Sequence, residues 1–302
     1  MLSAILVKQC KISKSATIFD LNKVFFHMNT KEHIAAIGDQ GYTIIEGLLS
    51  EDEVSRIRLA LEPYLQGDLM GRNDFEGFQS ERVYALLAKH PDLALIVEHP
   101  SVLDIVDQLL EPDYLLSANL AINCHPGETN QDFHRDNTGG NTCNPTDIHG
   151  ISTIWNFDDF TETNGATELI PESHKWLNEY PAEDDPRCIK AIMPQGSVLI
   201  FTGSLYHRGG ANNSNGPRLA ITPQYCQPWL RQLETMVLSV PPDKARALSS
   251  RVQALLGYSV RAPGFMGFVD GVHPKRLIDP NYEGRQARGV PTFRGVRSAS
   301  EE

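Results

Sequence analysis

The sequence predicts an α+β protein with a mainly β core, an antiparallel sandwich or barrel flanked by N-terminal and C-terminal helices. Two observations carry this. Before Pro112 the apolar residues recur at helical spacing, whereas after it five short segments of β-type residues follow one another across Gly, Pro, Asn and Asp clusters. No helix-length pattern separates those segments, which argues for antiparallel pairing over βαβ units.

Residues 30 to about 110 read as helical. "SEDEVSRIRLALEPYL" opens with Ser50 and Glu53 in capping-box spacing, and Val54, Ile57, Leu61, Tyr64 and Leu65 fall on one stripe. A second helical run, "SERVYALLAKHP", stops at Pro91. A third begins near Ser101 and carries Val102, Ile105, Val106, Leu109 and Leu110 up to Pro112. The strand segments are "YLLSANLAINCHPG", "GISTIWNF", "GATELIPESH", "GSVLIFTGSLYH" and "RLAITPQYC". "PPDKARALSSRVQALLG" reads as one closing helix with Gly257 as its stop.

Residues 28–284 therefore read as a single domain, and 285–302 as a loosely ordered tail. Residues 1–27 carry four lysines against Asp20, but lack arginine, a clean apolar core and a small-residue cleavage site. They read as a flexible leader or an over-called start before Met28, with an organelle presequence as the minority alternative.

A chain of 302 residues buries a sizeable core without disulfides or structural metals. The net charge of −11 repels phosphate backbones and anionic headgroups, and no run reaches the eighteen apolar residues of a membrane span. Nucleic acid and membrane are thus not the expected partners; a small molecule is. Five cysteines without a C-x-x-C indicate neither a disulfide framework nor a thiolate zinc site, and a reducing, cytoplasmic setting follows. The oligomeric state leaves no mark on the sequence.

The chemistry is carried by "QDFHRDN", residues 131–137. Composition alone supplies about one H-x-D triplet in a chain of this kind. His90-Pro91-Asp92 is such a copy, with His90 reading as a polar residue at a helix C-terminus. At 134–136, extended backbone instead puts the His134 and Asp136 side chains on one face. His207, at the end of "GSVLIFTGSLYH" and before Gly209 and Gly210, supplies a third ligand from another strand. Two imidazoles and one carboxylate leave three octahedral positions open, which suits non-haem Fe(II) and O2 chemistry, whereas structural zinc is normally closed by four ligands.

Arg218 follows eleven residues after His207, and residues 218, 220, 222 and 224 share one strand face. Its planar fork matches a carboxylate, for which the distal group of 2-oxoglutarate is the natural candidate. The plain alternative is a surface arginine at a strand start.

"QDFHRD", "TNGATELIPESHKW" and "HRGGANNSNGPRLAI", in this order, resemble the phytanoyl-CoA dioxygenase family of Fe(II)/2-oxoglutarate oxygenases. The resemblance extends from "GYTIIEGLLSEDEV" near Gly41 to "GFVDGVHPKRLI". It implies a double-stranded β-helix, a jelly roll of the cupin kind, with Fe(II) on His134, Asp136 and His207, and 2-oxoglutarate on Arg218. It further suggests Gln131, Trp155 and Thr167 as cosubstrate contacts, although core packing accounts equally well for Trp155. His125, His149 and His174 have no paired ligand in view.

Phe75, Phe78 and Arg82, in the glycine-containing loop "GDLMGRNDFEGFQSER", are candidate substrate contacts, and "NTGGNTCNPTDIHG" is a second candidate lid. The expected reaction is oxidation of an unactivated C–H bond of a small metabolite, with release of succinate and CO2. Halogenation is disfavoured because Asp136 fills the position a chloride would take. Two alternatives stand beside this: a cupin-like metal enzyme that does not use 2-oxoglutarate, and a non-catalytic binding protein on the same scaffold.

Overall fold

The chain enters its first helix at an asparagine cap. The structure, a computed structural model, describes residues 29–136, 147–261, 266–279 and 281–282. The leader 1–27, the tail from 285 and most of the loop after Asp136 lie outside the described residues. Helix α1 (Thr30–Gln40) has a capping box from Asn29 and Glu32 and ends at Gly41, whose φ of 92° is left-handed. Helix α2 (Glu51–Leu61) has the Ser50/Glu53 capping box expected from the sequence, and buries Val54, Ile57 and Leu61. Short helices α3 (Leu86–Lys89) and α4 (Ala94–Val97) precede α5 (Pro100–Leu109), which buries Val102, Ile105 and Val106.

Two antiparallel sheets follow. Strands β1 (Tyr42–Ile45), β2 (Ser80–Val83), β3 (Leu115–Cys124), β4 (Gly150–Asn156), β7 (Val198–Thr202) and β9 (Arg218–Cys226) form a sheet of order β1-β7-β4-β9-β3-β2. Strands β5 (Glu168–Leu169), β6 (Ile189–Lys190) and β8 (His207–Arg208) form a small sheet of order β6-β5-β8. The two faces of the large sheet feed two apolar clusters. Ile151 and Trp155 of β4, Val198 and Ile200 of β7, and Leu219 and Ile221 of β9 join Ile37, Ile57, Leu61 and Ile105 from the helices. Leu199, Phe201 and Ala220, each one residue out of phase with these, join Leu169 and Phe160 on the other side.

Several expectations are corrected. "SERVYALLAKHP" is not one helix: Ser80–Val83 is edge strand β2, and only Leu86–Lys89 is helical, after Ala85 turns at φ 51°. The open edge of β3 offers Ser80–Val83 a full ladder, Arg82 opposite Ile122, which outweighs local helix propensity. The strands β1 and β6 went unread. "GSVLIFTGSLYH" is two strands in two sheets, so His207 opens β8 and does not close the preceding run. The closing helix is broken into α7 (Pro242–Ala247) and α8 (Ser250–Leu256), because Ser249 leaves helical backbone to cap Val252; Gly257 stops α8 at φ 111°. A four-residue helix, α6 (Met236–Ser239), precedes them. His90 stands at the C-terminus of α3, as expected, and also caps the turn after it, its Nδ1 accepting from the Asp92 N–H at 3.2 Å. Among the described residues, no helix is long and apolar enough to cross a membrane.

The end of α1 gives a paired test. A methyl group at Gly41 would meet Leu205 Cδ1 at 2.5 Å and His174 Nδ1 at 2.6 Å on top of the left-handed φ, whereas one at the helical Gly38 meets nothing within 4 Å. G41A is expected to destabilise by at least about 2 kcal/mol, and G38A to stabilise by about 0.5–1 kcal/mol, in urea unfolding.

Candidate active site

A backbone pair creates the site. His134 and His207 exchange both N–H···O bonds, at 3.0 and 3.1 Å, as a bridge between antiparallel segments. Directly opposed residues carry their side chains on the same side, and the two imidazole centroids lie 4.4 Å apart. Asp136, two residues beyond His134, returns to that side. The three ligand atoms fall within 4.8 Å of one another, the cluster of this kind found among the described residues. Each histidine Nε2 faces the carboxylate, 3.9 Å from Oδ1 for His134 and 3.6 Å from Oδ2 for His207.

Backbone carbonyls fix the tautomers. His134 Nδ1 is 3.0 Å from the Asp132 carbonyl and His207 Nδ1 is 3.0 Å from the Leu205 carbonyl, so each Nδ1–H donates and each Nε2 keeps its lone pair for the centre. Burial, with His207 alongside, pushes the His134 pKa down to about 4, which keeps this imidazole neutral and able to bind a cation at pH 7. Ser152 Oγ donates to Asp136 Oδ2 at 2.5 Å and Gln224 Nε2 donates to the same oxygen at 3.1 Å, which orients the carboxylate.

These groups open onto a cavity of about 570 Å3 lined from both sheets. Arg218, Ala220, Thr222 and Gln224 of β9 all line it, in the period-2 order read from the sequence. Arg218 is buried, its guanidinium 4.8 Å from the Phe160 ring centroid. Nη2 donates to the Gly165 carbonyl at 2.5 Å, Nε has no partner, and no carboxylate among the described residues comes within 4.0 Å. Burial pushes its pKa down, but a guanidinium stays charged, so the cavity holds a cation short of an anion.

The remaining sequence candidates divide. Thr167, Gln131, Phe75 and Arg82 line the cavity. Gln131 ties the loop to β8, donating to the Phe75 carbonyl at 2.5 Å and accepting from the Gly209 N–H at 2.8 Å. Arg82 donates to the Glu76 carbonyl at 2.6 Å, and the Phe75 ring stands edge-on to His134 at 4.9 Å. Trp155 and Phe78 are corrections. Trp155 is fully buried in the cluster beneath the helices, 5.3 Å from the His99 ring, because on β4 it is Ile154 that faces the cavity. Phe78 is 54% exposed and lies outside the cavity wall. His125 pairs with Glu81 at 2.7 Å, His149 packs on Trp229 and shares a small pocket with Asp136, and His174 lies 3.1 Å from the Gly38 carbonyl; none of the three belongs to the ligand cluster. Sequence reading missed Ser152 and Gln224 as partners of Asp136. The β9 alternation carried a signal for Gln224, and nothing local singled out Ser152.

The model of the family described as phytanoyl-CoA dioxygenase matches residues 37–220, a span that contains His134, Asp136, His207 and Arg218. The chain belongs to the phytanoyl-CoA dioxygenase family. With that membership, and with a His-Asp-His cluster facing an unpaired arginine, this family member is an Fe(II)/2-oxoglutarate-dependent dioxygenase. Among its relatives, dioxygenase cnsJ of Penicillium expansum is 27% identical, covering 91% of this chain and 90% of its own. Dioxygenase trt7 of Aspergillus terreus is 26% identical, covering 79% and 87%. Two solved structures share the fold. HygX from Streptomyces hygroscopicus, with nickel, 2-oxoglutarate and hygromycin B bound, has a TM-score of 0.57 at 16% identity, covering 67% of this chain and 89% of its own. The α-ketoglutarate-dependent carbocyclase SnoK from nogalamycin biosynthesis has a TM-score of 0.53 at 22% identity, covering 65% and 83%.

The placement of Trp155 is testable in this dioxygenase. W155F is expected to lower stability by about 1–2 kcal/mol in thermal unfolding, while 2-oxoglutarate affinity measured by calorimetry stays within about two-fold of the native chain.

Proposed function

We propose that His134, Asp136 and His207 hold Fe(II), that Arg218 binds the distal carboxylate of 2-oxoglutarate, and that the enzyme oxidises an unactivated C–H bond of a small-molecule metabolite. The observation that carries this is the cavity itself, in which two inward-facing Nε2 atoms and an oriented carboxylate share a wall with a buried guanidinium lacking a counter-ion. In this reading the two antiparallel sheets are the halves of a double-stranded β-helix.

The donor set fits the metal. Neutral imidazoles and a carboxylate on one face suit Fe(II) and leave room for a cosubstrate. Arg218 fits the cosubstrate, since its fork takes a carboxylate in bidentate geometry and its Nε is otherwise orphaned. When bound, Fe(II), 2-oxoglutarate and O2 together supply the oxidant, converting the cosubstrate to succinate and CO2. The chain's own residues do the rest. The backbone pair fixes the spacing of His134 and His207, Ser152 and Gln224 hold Asp136 in one orientation, and Gln131 fastens the Phe75 loop over the histidines. Gln131 and Thr167 are further cosubstrate contacts in this reading, with Phe75 and Arg82 on the substrate side.

The cavity has the size of a small-molecule site. A net charge of −11 gives no general attraction for the phosphates of coenzyme A, so a small metabolite is favoured over an acyl-CoA. HygX with hygromycin B bound and the carbocyclase SnoK support a natural-product substrate, with hydroxylation, desaturation and ring closure all open to the same site.

Anaerobic titration of the Fe(II)-loaded chain with 2-oxoglutarate is expected to give a weak visible charge-transfer band. D136A is expected to lose both the band and 2-oxoglutarate-dependent succinate release, and R218Q to raise the 2-oxoglutarate Kd by at least about 100-fold with iron retained. A native chain without the band belongs to the cupin-like alternative; full coupled activity in D136A removes the ligand assignment.

A further inference from the structure

The cavity also holds a carboxylate oxygen without a partner, Oε2 of Glu234. Glu234 follows Leu233, and both are stitched to β3: the Leu233 N–H donates to Ser117 Oγ at 3.1 Å and the Glu234 N–H to the Ser117 carbonyl at 2.8 Å. From there the Glu234 side chain lines the cavity beside Tyr84, and its Oε1 accepts the Ala85 N–H at 3.1 Å. Its Oε2 is buried with no hydrogen-bond partner, and no Lys, Arg or His nitrogen among the described residues lies within 4.0 Å. A buried carboxylate oxygen with neither donor nor cation is costly unless a ligand supplies one.

The other charged groups of the cavity are engaged elsewhere. Glu76 pairs with Arg72, Glu128 accepts from Gln79 and Ser80, and Asp136 from Ser152 and Gln224. Of the arginines, Arg208 pairs with Glu168, Arg82 holds the carbonyls of the Phe75 loop, and Arg135 donates to the Ser173 and Trp176 carbonyls. The carboxylate is also well placed for the chemistry. Ser117 adjoins Ala118, which pairs with Gln224, the residue that orients Asp136. Glu234 and the ligand triad thus line one cavity, whose wall also carries the apolar Ala118 and Leu120 of β3.

We propose that Glu234 is the substrate-recognition residue of this cavity, and that the substrate carries a protonated amine or equivalent cationic nitrogen seated on its carboxylate. This rests on the reading of the cavity as the substrate site of the oxygenase. The apolar wall takes the hydrocarbon part, and Glu234 sets which carbon faces the triad.

The test uses the full chain loaded with Fe(II) and 2-oxoglutarate without oxygen, and calorimetric binding of primary alkylamines of four to ten carbons against the matching alcohols. The alcohols report the apolar wall alone. The expected result is at least about a ten-fold preference for the amines in the native chain, falling below about three-fold in E234Q, which keeps the acceptor for Ala85 and whose fold is checked by its melting temperature. Equal binding of amines and alcohols, no amine binding at millimolar concentration, or a preference undiminished in E234Q overturns the proposal. The last outcome would mean that the amine binds the metal directly. Formation of the 2-oxoglutarate band before any amine is added reports on the cofactor reading separately.

Discussion

Two hydrogen bonds between the backbones of His134 and His207 are what the rest of the site depends on. They join a segment that leaves the large sheet at the end of β3 to a two-residue strand of the small sheet, and so determine where two imidazoles meet. Every other feature is referred to that point. Asp136 reaches it by the two-residue period of extended chain, and the carbonyls of Asp132 and Leu205 turn the rings so that both Nε2 atoms face inward. The carboxylate is held from the opposite wall by β4 and β9 through Ser152 and Gln224. Strand pairing thus does what a flexible loop could not: it gathers two imidazole nitrogens and a carboxylate from distant parts of the chain within 4.8 Å of one another.

The large sheet separates two tasks by parity. One face buries Trp155, Ile200 and Ile221 under the helices and supplies the apolar area that stabilises the fold. The other carries the polar row from Arg218 to Gln224 and walls the cavity. Burying Arg218 without a carboxylate partner has a desolvation cost that this core offsets. Two orphaned polar atoms line one cavity, Nε of the Arg218 guanidinium and Oε2 of the Glu234 carboxylate.

What was legible in the sequence follows from the same parity. The H-x-D triplet and the β9 alternation are local, period-2 signals, and the Ser50/Glu53 box is a local helical one; the structure contains each of these local arrangements. Trp155 misled because each face of β4 mixes polar and apolar residues: with Ile151, Thr153 and Trp155 on one side and Ser152 and Ile154 on the other, no wholly polar half reveals which residues meet the cavity. The edge strand β2 and the two-residue strand β6 exist through their neighbours, so propensity within Ser80–Val83 or Ile189–Lys190 could not reveal them. Glu234 lies far from every motif and reaches the cavity only through its ties to Ser117 and Ala85.

The most direct measurement is a crystal structure of the Fe(II)-loaded chain, grown without oxygen, with anomalous data on both sides of the iron absorption edge. One iron peak about 2.0–2.2 Å from His134 Nε2, His207 Nε2 and a carboxylate oxygen of Asp136 is the result this account predicts. A peak bound by other residues, or the two histidines turned from a common centre with no iron between them, would contradict it.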